Sequence, residues 1–172
     1  MADYTSPADE GFFAAIGRLA ISWAHLEFSL DCIVEIMHYG FGGKDVEPEI
    51  PRALQRKIRY LRTMIKQIPL PADAAQGFQN LFDQIEAAAQ IRHNVIHGII
   101  IEQAERSGEA TMVRAIRRKG GVSKRQFKMT TKDILRAAGQ AQCLSSKTFH
   151  WLTETHNLIS ELRKQNEEQT PS

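Results

Sequence analysis

The sequence predicts an all-α protein, an antiparallel bundle of four to five helices with a β-hairpin inserted before the last long helix. Apolar residues recur at helical spacing over most of the chain, the connections are short, and β-branched residues interrupt the pattern after residue 98. With 172 residues, 42% hydrophobic and 24% charged, the composition is typical of one globular domain. We therefore expect a single domain over 1–172, with the hairpin at about 99–118 and a polar tail at 165–172.

The first two helices are predicted from their heptad-like spacing and from proline and glycine punctuation. The first begins at Ser6-Pro7, because a hydroxyl followed by proline is a helix start signal, and it ends at Gly40. Its apolar residues lie alternately four and three positions apart: Phe12, Ile16, Leu19, Trp23, Leu26, Leu30, Ile33 and Met37. The second helix follows Pro51 and ends before the Leu70-Pro71 pair.

The third helix is predicted over about 72–97, where Gly98 provides the stop. β-Branched residues then cluster in two runs, which predict a hairpin of about 99–104 and 110–118. The glycine-containing stretch 119–123 is predicted to be a loop.

The last helix is predicted to begin at Thr130. Thr130-x-x-Asp133 has the pattern of a capping box, and Met129 and Ile134 are spaced as a hydrophobic staple across it. Its predicted apolar face is Leu135, Ala138, Phe149, Leu152, Ile159 and Leu162, widened by Leu144, Trp151 and Leu158. This face is broad enough to pack against more than one neighbour.

Several classes of protein are excluded by simple patterns. No apolar run is long enough for a membrane-spanning helix, and the N-terminal segment lacks the features of a secretory signal, so we expect a cytoplasmic protein. Cys32 and Cys143 are far apart and neither belongs to a CxxC motif, which argues against a disulfide scaffold or a zinc knuckle. We expect no cofactor and no membrane partner.

Positive charge is concentrated in two short segments. Residues 52–70 contain six basic and no acidic residues, and residues 114–136 contain nine basic and one acidic. If the segments meet in space they form a polyanion-binding face, and if they point apart they are two solvated surfaces. The candidate RNA-binding residues are Arg52, Arg56, Arg59, Lys66, Arg117, Arg118 and Lys124.

The most informative segment is the octapeptide of residues 91–98, IRHNVIHG. At about 100° per residue, Arg92, His93 and His97 fall on one side of a helix, opposite Val95. Arginine presents a fork of donors that matches phosphate oxygens, and histidine exchanges a proton near neutral pH. Together these side chains suit phosphodiester chemistry.

This arrangement resembles the Arg-x4–6-His motif of the HEPN superfamily, the higher eukaryotes and prokaryotes nucleotide-binding domains. Arg92-x4-His97 lies on the penultimate long helix of a small bundle and is followed by Gly98. The segment WAHLE at 23–27 also resembles the opening helix of small HEPN proteins. The resemblance covers about 6–164 and leaves the hairpin without a counterpart.

The resemblance implies a metal-independent endoribonuclease of the bacterial toxin or phage-defence type. Two protomers would appose their motif helices, so that two Arg/His pairs line one cleft. Arg92 would bind the scissile phosphate, His97 would act as general base or acid, and His93 would orient RNA or assist. The implied partners are RNA, a second copy of the chain, and an antitoxin or other defence-system protein. Some HEPN toxins extend the motif to Arg-x4-His-x-Tyr, and Ile99 occupies the tyrosine position here.

Other interpretations of the same residues remain open. Cations at a helix end can simply complement the helix dipole, and His93-x3-His97 has a spacing suited to zinc, although no third ligand is evident. Histidines elsewhere are expected on the surface or in packing roles, and Trp23 and Trp151 in the core. The alternative functions are a catalytically silent HEPN-like module that binds nucleotides or proteins, and an unrelated small helical regulator.

Overall fold

The computed structural model describes residues 7–68, 70–104, 109–118 and 121–168, which are mostly helical with one small three-stranded antiparallel sheet. The helices are α1 (Pro7–Gly40), α2 (Gly43–Val46), α3 (Leu54–Gln67), α4 (Ala72–Ile96) and α5 (Thr131–Glu168), and the strands are β1 (Ile99–Ala104), β2 (Glu109–Arg118) and β3 (Gly121–Thr130). The four long helices match their predicted positions closely. Ser6, the predicted cap of α1, lies outside the described residues, as do residues 169–172 of the polar tail.

The chain divides into two compact units. The first comprises Met1–His25 and Asp83–Cys143, and it includes the sheet. The second comprises Leu26–Phe82 and Leu144–Ser172, and it includes α2 and α3. Helices α1, α4 and α5 each contribute residues to both units.

The core of the first unit joins the beginning of α1 to the sheet and the beginning of α5. Its buried apolar side chains come from α1, α4, β2 and α5: Phe12, Ala15, Leu19, Val95, Ala110, Met112, Ile134, Ala137 and Ala138. Ile16 and Met129 are partly buried against this cluster. The predicted α1 stripe and the predicted staple across the start of α5 therefore both contribute to one core.

The second unit buries the remainder of the predicted α1 stripe and the apolar face of α3. The buried side chains include Leu26, Leu30, Ile33, Met37, Ile58, Leu61, Met64, Phe78 and Phe82. Lys57 is also buried, and its ammonium group pairs with Asp31.

The sheet adds a strand to the predicted hairpin, and the described residues are mostly helical, as the predicted fold class requires. Strands β1 and β2 pair as predicted, but residues 121–130 form a third strand that pairs with β2, from Arg118↔Gly121 to Glu109↔Thr130. The predicted loop at 119–123 is wrong from Gly121 onward. β3 is an edge strand rich in exposed basic residues, so it lacks the β-branched pattern that identifies central strands.

The predicted capping box is present where β3 meets α5. The Asp133 amide donates to Thr130 Oγ1 at 3.1 Å, and the Thr130 amide donates to Asp133 Oδ2 at 3.2 Å. These two bonds satisfy backbone donors that have no partner within the helix. The predicted apolar face of α5 is only partly correct, because Leu135 and Phe149 are exposed.

Candidate functional site

The carboxyl end of α4 carries the three predicted catalytic residues. Val95 is buried and packs in the first unit, whereas His93 and His97 are exposed and Arg92 is half-buried. The helical geometry expected from the sequence is therefore confirmed. Both imidazoles are open to a ligand from solvent.

Arg92 is held by an aromatic ring. Its guanidinium carbon lies 5.9 Å from the centroid of the Trp23 ring, and Trp23 itself is only 2% exposed. A cation over an indole face is attracted by the ring quadrupole, and this contact orients the guanidinium while leaving its charge unneutralised. Within the described ranges, no carboxylate forms an ion pair with Arg92.

The two imidazoles are neighbours. The ring centroids of His93 and His97 are 4.6 Å apart with an interplanar angle of 60°. The backbone amide of His97 donates to the His93 carbonyl at 3.2 Å, which continues the helical hydrogen bonding by one residue. Two proton-exchanging groups thus lie within the span of one phosphodiester linkage.

A fourth residue of the site, Arg114, was not predicted from the sequence. Arg114 lies on β2, and its Nη1 donates to Asn94 Oδ1 at 2.6 Å, while Gln90 donates to the same oxygen at 3.1 Å. Asn94 is neutral, so this contact positions the guanidinium without cancelling its charge. Only the strand register could have revealed it, because Val113 pairs with Ile99, two residues beyond His97.

The electrostatics of His93 show that the cluster is strongly cationic. Partial burial lowers the pKa of His93, and the positive charges of Arg114, His97 and Arg92, in that order, lower it further. Each charged group that acts on this imidazole therefore acts through positive charge. His93 is accordingly neutral at pH 7, with a ring nitrogen available to accept a proton.

Gly98 allows the end of α4 to pack tightly against the sheet. A Cβ at this position would lie 2.5 Å from the Asn94 carbonyl oxygen and 2.8 Å from Met112 Cε. Any side chain here would therefore collide with the last turn of α4 and with Met112 of β2. The glycine that the sequence identifies as a helix stop also brings β2, with Arg114, close to the histidines.

The predicted RNA-binding residues divide between the units. Arg52, Arg59 and Lys66 are exposed in the second unit, and Arg56 there pairs with Glu47. Lys124 is exposed on β3 in the first unit, where its register partner is Ala115. Arg117 and Arg118 pair with Val122 and Gly121 in the sheet, and their side chains lie outside the description.

Two further properties bear on the site. Among the residues that the structure describes, no three His, Cys, Asp or Glu side chains are grouped so that they could hold a metal ion. The His93 and His97 pair therefore has no third protein ligand in that part of the chain. The described helices also include none with the length and apolar character needed to span a membrane.

Comparison of the chain with family models, curated proteins and solved structures finds no match. The function is therefore inferred from the chemistry of these side chains.

Proposed function

We propose that this protein is a metal-independent endoribonuclease of the HEPN type, acting in the cytoplasm on RNA. The observation that carries the proposal is the cationic cluster at the end of α4. Arg92, Arg114 and His97 all act on the His93 imidazole, and within the described ranges no carboxylate pairs with either guanidinium. A phosphodiester supplies the missing negative charge and accepts the donors of both arginines.

The chemistry assigned to the cluster is transesterification within RNA. One imidazole removes the proton of the ribose 2′-hydroxyl, and the oxygen attacks phosphorus. The bond to the 5′-oxygen breaks, and that oxygen takes a proton from the other imidazole, held as imidazolium. We assign His97 as the general base or acid, and His93 assists by carrying out the opposite proton transfer. Arg92 and Arg114 stabilise the charge that develops on the phosphoryl oxygens, and the product is a 2′,3′-cyclic phosphate.

The helix-dipole interpretation explains less of the structure. It accounts for cations on the last turn of α4, but it gives no reason for β2 to bring Arg114 to the same place. A phosphate site explains both. The zinc interpretation would require a third ligand from outside the described residues or from a partner chain.

We further propose that the helices form an antiparallel bundle and that the active species is a homodimer. A two-fold axis beside the end of α4 would place two copies of the Arg92 and His97 pair in one cleft. The doubled positive charge would raise the local concentration of RNA. A regulatory partner, such as an antitoxin or another defence-system protein, would then act by covering this cleft.

The experiment that tests the proposal is incubation of the purified protein with end-labelled RNA of mixed sequence in the presence of EDTA. We expect cleavage that leaves 2′,3′-cyclic phosphate ends and is unaffected by the chelator. Light scattering on the same sample should give twice the 19.4 kDa mass of the chain. Folded, dimeric protein that binds nucleotides or protein through this cluster but leaves RNA intact would establish the silent binding module instead.

A further inference from the structure

A separate cavity lies in the second unit, where the end of α1, helix α2 and the segment before α3 meet. Its volume is about 540 Å³. Lys44 and Arg52 line it, together with Glu49, the ring of Tyr39 and the buried side chain of His38. Two fixed cations therefore face one carboxylate, and the cavity carries a net positive charge.

His38 gives the cavity an unsatisfied polar group. Its side chain is only 3% exposed, and within the described residues Nδ1 has no hydrogen-bond partner. The hydroxyl of Tyr60 is likewise buried and unpartnered there, and its ring centroid is 6.3 Å from that of His38. Buried polar atoms are nearly always hydrogen-bonded, and His38 lines the cavity, so a molecule bound there can complete the bonding of its imidazole.

The cavity wall is built tightly enough to hold these groups in place. A Cβ on Gly43 would collide with the Tyr60 hydroxyl and with the backbone of His38. Helix α2 consequently packs on the Tyr60 hydroxyl and on the backbone of His38.

The charges around the cavity favour an anion. Arg56 pairs with Glu47, which removes a nearby carboxylate from competition. The Lys44 ammonium lies 5.1 Å from the centroid of the exposed Tyr39 ring, an interaction that orients it and leaves its charge available. Glu49 can then accept a hydrogen bond from a hydroxyl group of the molecule that carries the anion.

We propose that this cavity binds a phosphate monoester, supplied either by the terminal phosphate of an RNA chain or by a free nucleoside monophosphate. A monoester carries a charge of about −1.5 to −2 near pH 7, which matches Lys44 and Arg52, whereas an internal phosphodiester carries only about −1. The imidazole of His38 donates to a phosphate oxygen, and Glu49 accepts from a ribose hydroxyl. Binding of an RNA end rests on the proposed ribonuclease function, whereas binding of a free nucleotide does not.

The test compares the binding of two 3′-labelled oligonucleotides that have the same sequence. One carries a 5′-phosphate and the other a 5′-hydroxyl. 5′-AMP and inorganic phosphate are added as competitors. The readout is the ratio of the two affinities, because the general electrostatic attraction of the protein to RNA affects both oligonucleotides equally. We expect the phosphorylated oligonucleotide to bind at least about tenfold more tightly, the effect of losing a hydrogen bond to a charged group. Lys44→Gln with Arg52→Gln should bring the ratio close to one.

A charge-matched control is Arg18→Gln with Lys132→Gln, two exposed cations outside both sites, which should retain the preference. Competition by 5′-AMP as strong as that of the phosphorylated oligonucleotide identifies a free-nucleotide site, and weak competition identifies an RNA-end site. Equal binding of the two oligonucleotides by the wild-type protein, together with no binding of 5′-AMP, would overturn the proposal. So would a preference that survives in the Lys44 and Arg52 double variant. Cleavage of internal linkages is scored separately, so either proposal can fail alone.

Discussion

Two groups of cations, one on α3 and one around the end of α4, have similar charge and different surroundings. On α3, Lys57 is buried against Asp31 and Arg56 pairs with Glu47. Around the end of α4, Arg92 lies over an aromatic ring and Arg114 donates to a neutral amide. The fold neutralises part of the first group and orients the second without neutralising it.

This difference shows that the density of basic residues along the sequence is a poor guide to where unpaired positive charge lies. The segment 52–70 has six basic and no acidic residues, yet two of these cations are paired with carboxylates from elsewhere in the chain. A charge that is already paired gains little from a phosphate, because the ion pair must first break. We therefore expect the α4 cluster to dominate both binding and chemistry.

The largest expected effect is on catalysis. Arg92→Ala and His97→Ala should each lower RNA cleavage by at least about 10²-fold, the usual scale for losing a charge-stabilising donor or a general acid or base. Arg56→Gln, which removes a cation from α3, should alter cleavage by less than about twofold because exposed ion pairs contribute little. Initial rates from gel assays measure all three. A loss from Arg56→Gln as large as that from Arg92→Ala would remove the distinction between the two groups.

Arg114 should come next, with an effect mainly on affinity. Arg114→Gln removes a charged donor to phosphate and keeps a polar side chain near Asn94, so we expect RNA binding to weaken by about tenfold. Fluorescence anisotropy at low salt measures the change, and the dependence of affinity on salt should become shallower. Unchanged affinity would mean that β2 approaches α4 for packing alone.

The sequence predicted most of this fold and part of this site. The alternating spacing of apolar residues located α1, and the Thr130-x-x-Asp133 pattern located the start of α5, because both signals are local. Strand β3 was missed since its stability comes from pairing with β2 rather than from its own residues. Arg114 was missed for the same reason: its place beside the histidines depends on contacts between distant segments.

A smaller effect is expected from the buried cation of α3. Lys57→Met keeps the apolar stem and removes the ion pair with Asp31, so the free energy of unfolding should fall by about 1 kcal/mol. Denaturant titration measures this change. RNA affinity should stay at the wild-type value, and a fall comparable to that of Arg114→Gln would show that Lys57 contributes its charge to binding after all.

The smallest effect concerns the capping box, which stabilises the first unit without contributing to its cluster. Asp133→Ala should cost about 1 kcal/mol at pH 7 and leave RNA affinity unchanged. Hydrogen bonds from Thr130, assisted by neighbouring cations, lower the pKa of Asp133 below its ordinary value of 3.8. The contribution of the Asp133 carboxylate to the free energy of unfolding is therefore present above pH 3.8 and is lost as the pH falls through the lowered pKa. Thermal melts of both proteins across that range should converge in acid.

The most direct test of the account is an NMR titration of the His93 imidazole with and without a short RNA that carries a non-cleavable 2′-deoxy linkage. In the free protein, burial and three cations hold the pKa of His93 below 6.5. A phosphate bound among Arg92, Arg114 and the imidazoles would offset those charges, so we expect the pKa of His93 to rise on binding. The Arg92→Ala, Arg114→Gln double variant should show no such rise. An unchanged His93 pKa in wild-type protein saturated with RNA would contradict the central claim that this cluster is the phosphate site.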